Sequence, residues 1–543
     1  MKEKYLLLGL VLMTILTRVF FLADFPKGFS GDEVQQGYSA YSILKTGKDE
    51  WGQFLPLSPR GFGDFKPPLY TFITVPSIAI FGLNEHAVRF PAALMGVLTV
   101  ILVYFLAKQL FQNGQLSLLA AFLLAINPWH IQISRTAFEG GLGVLLFCAG
   151  LLFFLKGLNN SKLFIYSAIF WGLTLYTYHS FRLFLALLLV FIIFAFREKI
   201  NFKKLIAPTI IFIVCLLPLL FNIKSTLVRS SDVGIFSNQQ ISGYFKNKGT
   251  SPLPPLFDKA FDNKFIYLTG VFYENFLSYY SPQFLFTGNR SDGSYLNFPG
   301  YPLLYPFEIL SIYLGIYLLV KGKEKKLIFG WLILAAIPAA IATGSMSAHR
   351  AVTFLPLLSI ISALGFKSII DSLSDKLNIN KKKLYQITIF ILLVSFINFL
   401  YYYLIKLPKH IPESLRPEYK QIFQETLSLQ SKFDAVVMSK AFSQPQIFLA
   451  FYSQFDPVEY QKASQDWLRY EKSDKLYIDQ LESWNLGKFY FEDLNWKAKE
   501  SKRINALIIA RASDFPEDVE TTYEVKNKRG EVTYKFVPVN HAK

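Results

Sequence analysis

The chain has 543 residues and a formal net charge of +17, and it is 52% hydrophobic and 17% aromatic but only 17% charged. That balance is too apolar for a soluble protein of this length, and the long apolar runs before residue 405 read as membrane helices, because a backbone in lipid must satisfy its own hydrogen bonds. The basic excess lies in short loops, a topology signal rather than a nucleic-acid footprint, and Cys148 and Cys215 both sit inside apolar runs, which argues against a disulfide framework or a cysteine metal site.

In chain order, the first 22 residues have a basic start and an apolar core like an export signal. No A-x-A site follows, so they read as a retained helix. The expected spans are 5–22, 88–107, 116–134, 140–155, 163–178, 183–196, 205–222, 302–320, 327–344, 351–366 and 384–405, about eleven in all. Every second loop is basic: Lys108, then Lys156 and Lys162, then Arg197 to Lys204, then Lys321 to Lys326, then Lys367 to Lys383. The positive-inside rule makes these loops and the N-terminus cytoplasmic. It leaves 23–87, 135–139, 179–182, 223–301, 345–350 and the C-terminal tail outside an inner (plasma) membrane.

Pro67 to Gly82 is apolar, but a crossing there would invert every later basic loop, and the segment carries Pro67, Pro68 and Pro76. It is expected to lie on the outer interface. Residues 34–46 are amphipathic and are assigned the same place. Residues 223–301 read as a partly ordered external lid rich in aromatic and polar residues. Beyond 405 the pattern changes. Asp434 to Met438 and Ala506 to Ala510 read as buried strands, Gln446 to Phe455 as a helix, and Tyr523 to Val539 as a hairpin turning at Arg529-Gly530. The expected architecture is therefore a mainly α, polytopic membrane domain, 1–405, followed by a small external α/β domain, 406–543.

Gly31-Asp32-Glu33 places two carboxylates just beyond the first apolar segment. By themselves they could simply cap the helix that starts near Val34. They have company, however. Lys66 returns to the same interface, and the outer loops add Arg135, Glu139, His179, Arg182, His349 and Arg350. Cations that hold a leaving phosphate and a carboxylate that deprotonates an attacking hydroxyl suit a phosphorylated lipid substrate. Arg18, Arg89, Glu139, Glu308 and Arg350 all lie at the outer ends of their helices, while the helix centres are empty of charge. That argues against a pump or ion-coupled transporter.

Gly31-Asp32-Glu33, Lys66-Pro67-Pro68-Leu69-Tyr70 and Arg89-Phe-Pro-Ala-Ala-Leu-Met-Gly resemble the N-terminal module of the GT-C fold glycosyltransferases that use polyprenyl-phosphate sugars. The nearest branches are the dolichyl-phosphate-mannose protein mannosyltransferases and the lipid A aminoarabinose transferases. Asn127 to Arg135 with Glu139, Tyr176 to His179 with Arg182, and Ser347-Ala-His349-Arg350 are similar to later motifs of bacterial members. The resemblance covers roughly 1–400 and implies transfer of a sugar from a polyprenyl-phosphate donor to a protein, lipid or glycan acceptor on the extracytoplasmic face. It implies Asp32 as the base of an inverting displacement and Glu33 as a shaper of the acceptor site. Glu139 stands as a second acid or a metal partner where many relatives have Asp, and Lys66, Arg182, His349 and Arg350 grip the donor phosphate. It calls for no cofactor and leaves the use of a divalent metal open. A flippase of lipid-linked sugars and a surface polysaccharide polymerase or ligase are the competing readings.

Overall fold

A computed structural model describes residues 2–61, 65–221, 234–237, 241–244, 254, 257, 260–288, 294, 296, 298–321, 325–411, 413–472, 478–494, 505–527 and 529–539. The chain forms two compact units, one of residues 1–20 and 92–407 and the other of 21–91 and 408–543. The sequence suggests a boundary only near 405, whereas the contacts group residues 21–91 with the C-terminal residues.

The first unit is helical. Among the described residues six helices are long and apolar enough to cross a membrane: Glu85–Phe111, Glu139–Gly157, His179–Phe196, Phe202–Phe221, Val352–Leu377 and Lys381–Lys409. A seventh span arises if Gly114–Ile126 and Pro128–Arg135 count as one, bent by 59°. Each expected span has a helix, but Phe164–Thr174, Glu308–Lys321 and Lys325–Ala340 are only 11, 14 and 16 residues long. At 1.5 Å per residue they fall short of a straight crossing of about 30 Å, so the expected count of eleven is not reproduced.

The expected span 116–134 is corrected to a broken helix. Pro128 has no N–H to continue the ladder, and Asn127 Oδ1 accepts from His130 N at 2.8 Å to begin a new helix. Arg18 from the first helix donates to the carbonyls of Ala125 at 2.5 Å and Leu124 at 3.4 Å, on the last turn before the break. Elsewhere the helices Glu308–Lys321 and Leu355–Leu377 meet through glycine. A Cβ at Gly315 would strike the Ile361 carbonyl and one at Gly365 the Ser311 carbonyl. Close backbone approach of this kind gives apolar helices their packing contacts when water supplies no driving force between them. Ser362 bridges the same pair, donating to Glu308 at 2.9 Å and lying 2.8 Å from Ser311 Oγ. The expected lid 223–301 falls partly outside the described residues; its described part includes the helix Lys264–Ser278.

The second unit carries a six-stranded sheet in the order β2-β3-β1-β4-β6-β5. The strands are β1 Ala435–Ser439, β2 Ser483–Leu486, β3 Phe489–Glu492, β4 Ala506–Arg511, β5 Tyr523–Lys526 and β6 Val532–Val539. β1 runs parallel to β3 and β4, and the other pairings are antiparallel. The two buried strands and the hairpin of the sequence reading are all present, and the helix read there is Pro445–Ser453. The strands β2 and β3 and the helices Tyr419–Leu429 and Pro457–Trp467 are additions.

The segment read as an amphipathic interfacial helix, 34–46, is the helix Gly31–Thr46, and it is mostly buried. Leu69–Phe81 packs along it, and so do the helices from the C-terminal residues. Tyr38 donates to the Phe455 carbonyl at 2.9 Å and its ring lies 5.0 Å from that of Tyr460. Gln461 donates to Ser42, Thr46 and the Asp49 carbonyl. The apolar stripe that suggests a lipid contact is thus a protein core.

Candidate active site

The acid helix starts in a capping box. Ser30 Oγ accepts from Glu33 N at 3.3 Å, and Glu33 Oε2 accepts from Ser30 N at 3.0 Å. Arg89 Nε donates to Glu33 Oε1 at 2.8 Å, and both side chains are 0% exposed. The same guanidinium donates to the carbonyls of Leu22, Pro26 and Gly28. One buried ion pair therefore clamps the loop 22–28 to the first turn of the helix.

Asp32, next along, is differently placed. Its side chain is 47% exposed and is met by Lys66 Nζ, itself 9% exposed. The structure thus joins Asp32 to Lys66 and Glu33 to Arg89. Adjacent carboxylates have opposite environments, one locked into the framework and one presented at the surface of this unit.

Behind them lies a second acidic pair that the sequence reading passed over. Asp49 and Glu50 are both fully buried. Ser39 donates to Glu50 Oε2 at 2.5 Å and Gln35 to Oε1 at 3.4 Å, while Asp49 Oδ1 accepts from Trp51 N and Gln53 N. Burial, and then the neighbouring Asp49, push the Glu50 carboxyl up to about 8. Burial raises Asp49 as well. Ser464 holds the Glu50 carbonyl at 3.0 Å, and Gln35 also holds that of Arg60 at 2.7 Å, so the loop that leads to Lys66 is tied to this buried pair.

The remaining candidates lie in the helical unit. Glu139 is buried at the first turn of Glu139–Gly157. The ring of the preceding Phe138 is 5.1 Å from that of Tyr178 and 6.4 Å from His349, and Tyr178 is 6.5 Å from His349. Three motifs far apart in sequence therefore meet at one aromatic cluster. His349 Nδ1 lies 2.9 Å from Ser347 Oγ. Arg182 donates to the Leu175 carbonyl at 3.1 Å and lies 3.2 Å from His179 Nδ1. Arg350 donates to the carbonyls of Thr343 and Gly344. Among the described residues no group of three or more His, Cys, Asp or Glu could hold a metal ion.

Residues 65–221 match the family described as dolichyl-phosphate-mannose-protein mannosyltransferase. An uncharacterized protein of Aquifex aeolicus (strain VF5) is 31% identical over 140 residues, 25% of this chain and 26% of that protein. A protein described as putative mannosyltransferase YycA of Bacillus subtilis (strain 168) is 31% identical over 111 residues, 20% of this chain and 16% of that one. The chain thus spans about a quarter or less of the curated relatives it matches. Among solved structures, ArnT from Cupriavidus metallidurans in the apo state superposes with a TM-score of 0.53 at 12% identity, covering 97% of both chains. The same protein bound to undecaprenyl phosphate gives 0.52 at 11% identity, covering 98% of this chain and 97% of the other. The chain has the ArnT-like GT-C membrane fold, as the sequence motifs imply.

Proposed function

We propose that this protein is a membrane glycosyltransferase that moves a monosaccharide from a polyprenyl-phosphate donor to an acceptor hydroxyl on the extracytoplasmic face. The observation that carries the proposal is Asp32: a half-exposed carboxylate held by Lys66 on a helix start that a buried Glu33–Arg89 pair fixes. The fold and the mannosyltransferase match over 65–221 support the reaction class. The undecaprenyl phosphate in the ArnT complex supports the donor class.

In the proposed reaction Asp32 takes the proton of the acceptor hydroxyl, and the oxygen attacks the anomeric carbon opposite the phosphate. The bond from that carbon to the phosphate oxygen breaks, and polyprenyl phosphate leaves with the electron pair, so the configuration inverts. Lys66, with three donors, can hold Asp32 and still reach a phosphate. Arg182, His349 and Arg350 supply positive charge to the leaving group, and Glu139 orients this set. Glu33 acts by holding Asp32 in place, since its carboxylate is already committed to Ser30 and Arg89. The alternation of basic loops supports the extracytoplasmic face and a cytoplasmic N-terminus.

Mass spectrometry of surface glycans and glycoproteins, from cells with and without the gene, tests the reading. Loss of one sugar, restored by the wild type and not by Asp32→Asn, is the expected result. Identical profiles in all strains would refute it.

A further inference from the structure

The C-terminal residues press on the start of the acid helix at one point. A Cβ at Gly31 would strike Arg416 Nη1 and Gln444 Oε1, so two polar side chains lie directly against the residue before Asp32. Arg416 follows Leu415, whose carbonyl accepts from Phe29 N at 2.6 Å, and Gln444 opens the helix Pro445–Ser453. Both contacts are therefore part of the same unit's framework.

Arg416 is held in an unusual way. Its guanidinium lies 5.5 Å from the Tyr419 ring and 5.4 Å from the Phe448 ring. Among the described residues it forms no ion pair and no side-chain hydrogen bond. Aromatic faces orient a guanidinium without using its N–H donors, which leaves a planar fork ready for a two-point contact with a phosphate or carboxylate. Arg416 and Gln444 also have positive φ values, 42° and 58°. Non-glycine residues hold such conformations at a cost in free energy, and strain of this kind gathers where a side chain must be aimed. Gln446, two residues on, is fully buried with neither amide atom partnered among the described residues.

We propose that Arg416 and Gln444 form an anion-binding subsite beside Asp32, which recognises a phosphate or carboxylate on the acceptor next to the hydroxyl that receives the sugar. This rests on the reading of Asp32 as the base. It narrows the acceptor to a hydroxylated anion and gives the C-terminal residues a part in choosing it. Arg416 binds the anion through its two terminal nitrogens, and Gln444 sets the guanidinium's position and accepts from an acceptor hydroxyl.

The test is direct binding to the purified full chain in detergent, with glycerol 3-phosphate and glycerol as probes. Equilibrium dialysis should show saturable binding of glycerol 3-phosphate and none of glycerol. Arg416→Ala and Arg416→Lys should each weaken it at least fivefold, since an ammonium cannot reproduce the fork. Gln444→Gly should weaken binding while raising the melting temperature, because glycine accepts the positive φ freely. A merely structural Gln444 would not couple these opposite changes. Undecaprenyl phosphate should not displace the probe. Displacement would assign the anion to the donor and overturn the proposal, as would unchanged binding in Arg416→Lys or no saturable binding. Because the assay needs no turnover, its failure is distinct from a failure of Asp32, which is read from sugar transfer alone.

Discussion

Candidate site cations are held by different means at Lys66 and Arg89 on one side and at Arg350 on the other. In the unit containing 21–91, Lys66 meets Asp32 and Arg89 meets Glu33, so each of these two cations faces a carboxylate. In the helical unit Arg350 is held by the carbonyls of Thr343 and Gly344. A carboxylate both fixes and neutralises a cation, whereas a carbonyl fixes it and leaves its charge in force. The first arrangement builds a framework for one exposed acid. The second fixes a guanidinium without neutralising it.

The sharpest way to break this contrast is at Asp32 itself. Asp32→Asn keeps the size of the side chain but cannot take a proton, and transfer should fall about a thousandfold, within the usual range for a lost general base. Donor affinity, measured by titration with a polyprenyl-phosphate sugar, should survive. Full turnover would remove Asp32 from the chemistry.

Next in size is Glu33→Ala, which leaves Arg89 buried without its carboxylate and should cost about 3 kcal/mol or more of stability. Thermal unfolding would show it, and an unchanged melting temperature would mean that the pair is not the framework described. Arg350→Ala tests the other side of the comparison. It should leave folding intact and weaken donor binding about tenfold, a loss of about 1.4 kcal/mol; an unaltered donor affinity would take Arg350 out of the phosphate site.

The last test concerns Glu50. Its folded-state pKa, near 8, lies above the ordinary glutamate value of 4.5, so the folded protein holds a proton that the unfolded chain releases. The stability that this carboxyl contributes is fully present below about pH 4.5 and is lost as pH rises through about 8. Glu50→Gln keeps an uncharged group beside Ser39 and should flatten the decline in melting temperature between pH 5 and 9 by several degrees. A slope equal to that of the wild type would mean that Glu50 titrates normally.

The sequence makes some of these features readable and conceals others for identifiable reasons. The Ser30-x-x-Glu33 spacing is a capping-box signature, and the Asp32–Lys66 union follows from motifs that return to one interface. Glu33 is harder to read. Its commitment to Arg89, 56 residues away, depends on how a loop folds over a helix, and two adjacent carboxylates look equivalent until burial separates them. The stripe on 34–46 shows that a face will be covered, but periodicity does not distinguish lipid from protein, and here Phe455 and Tyr460 do the covering. β2 and β3 escape notice because they are four residues each, separated by Gly487 and Lys488, too short for alternation to register. The break at Asn127-Pro128 is written in the sequence, yet the apolar residues on both sides of it conceal the change of direction.

That break has a consequence for how the protein is assembled. Carbonyls exposed by a snapped helix are intolerable in hydrocarbon, and here the remedy is a guanidinium 107 residues upstream, Arg18 on Ala125. The helix Lys2–Val19 is therefore a structural rivet for the broken helix. A foreign helix of equal length without this guanidinium would leave the joint unsealed.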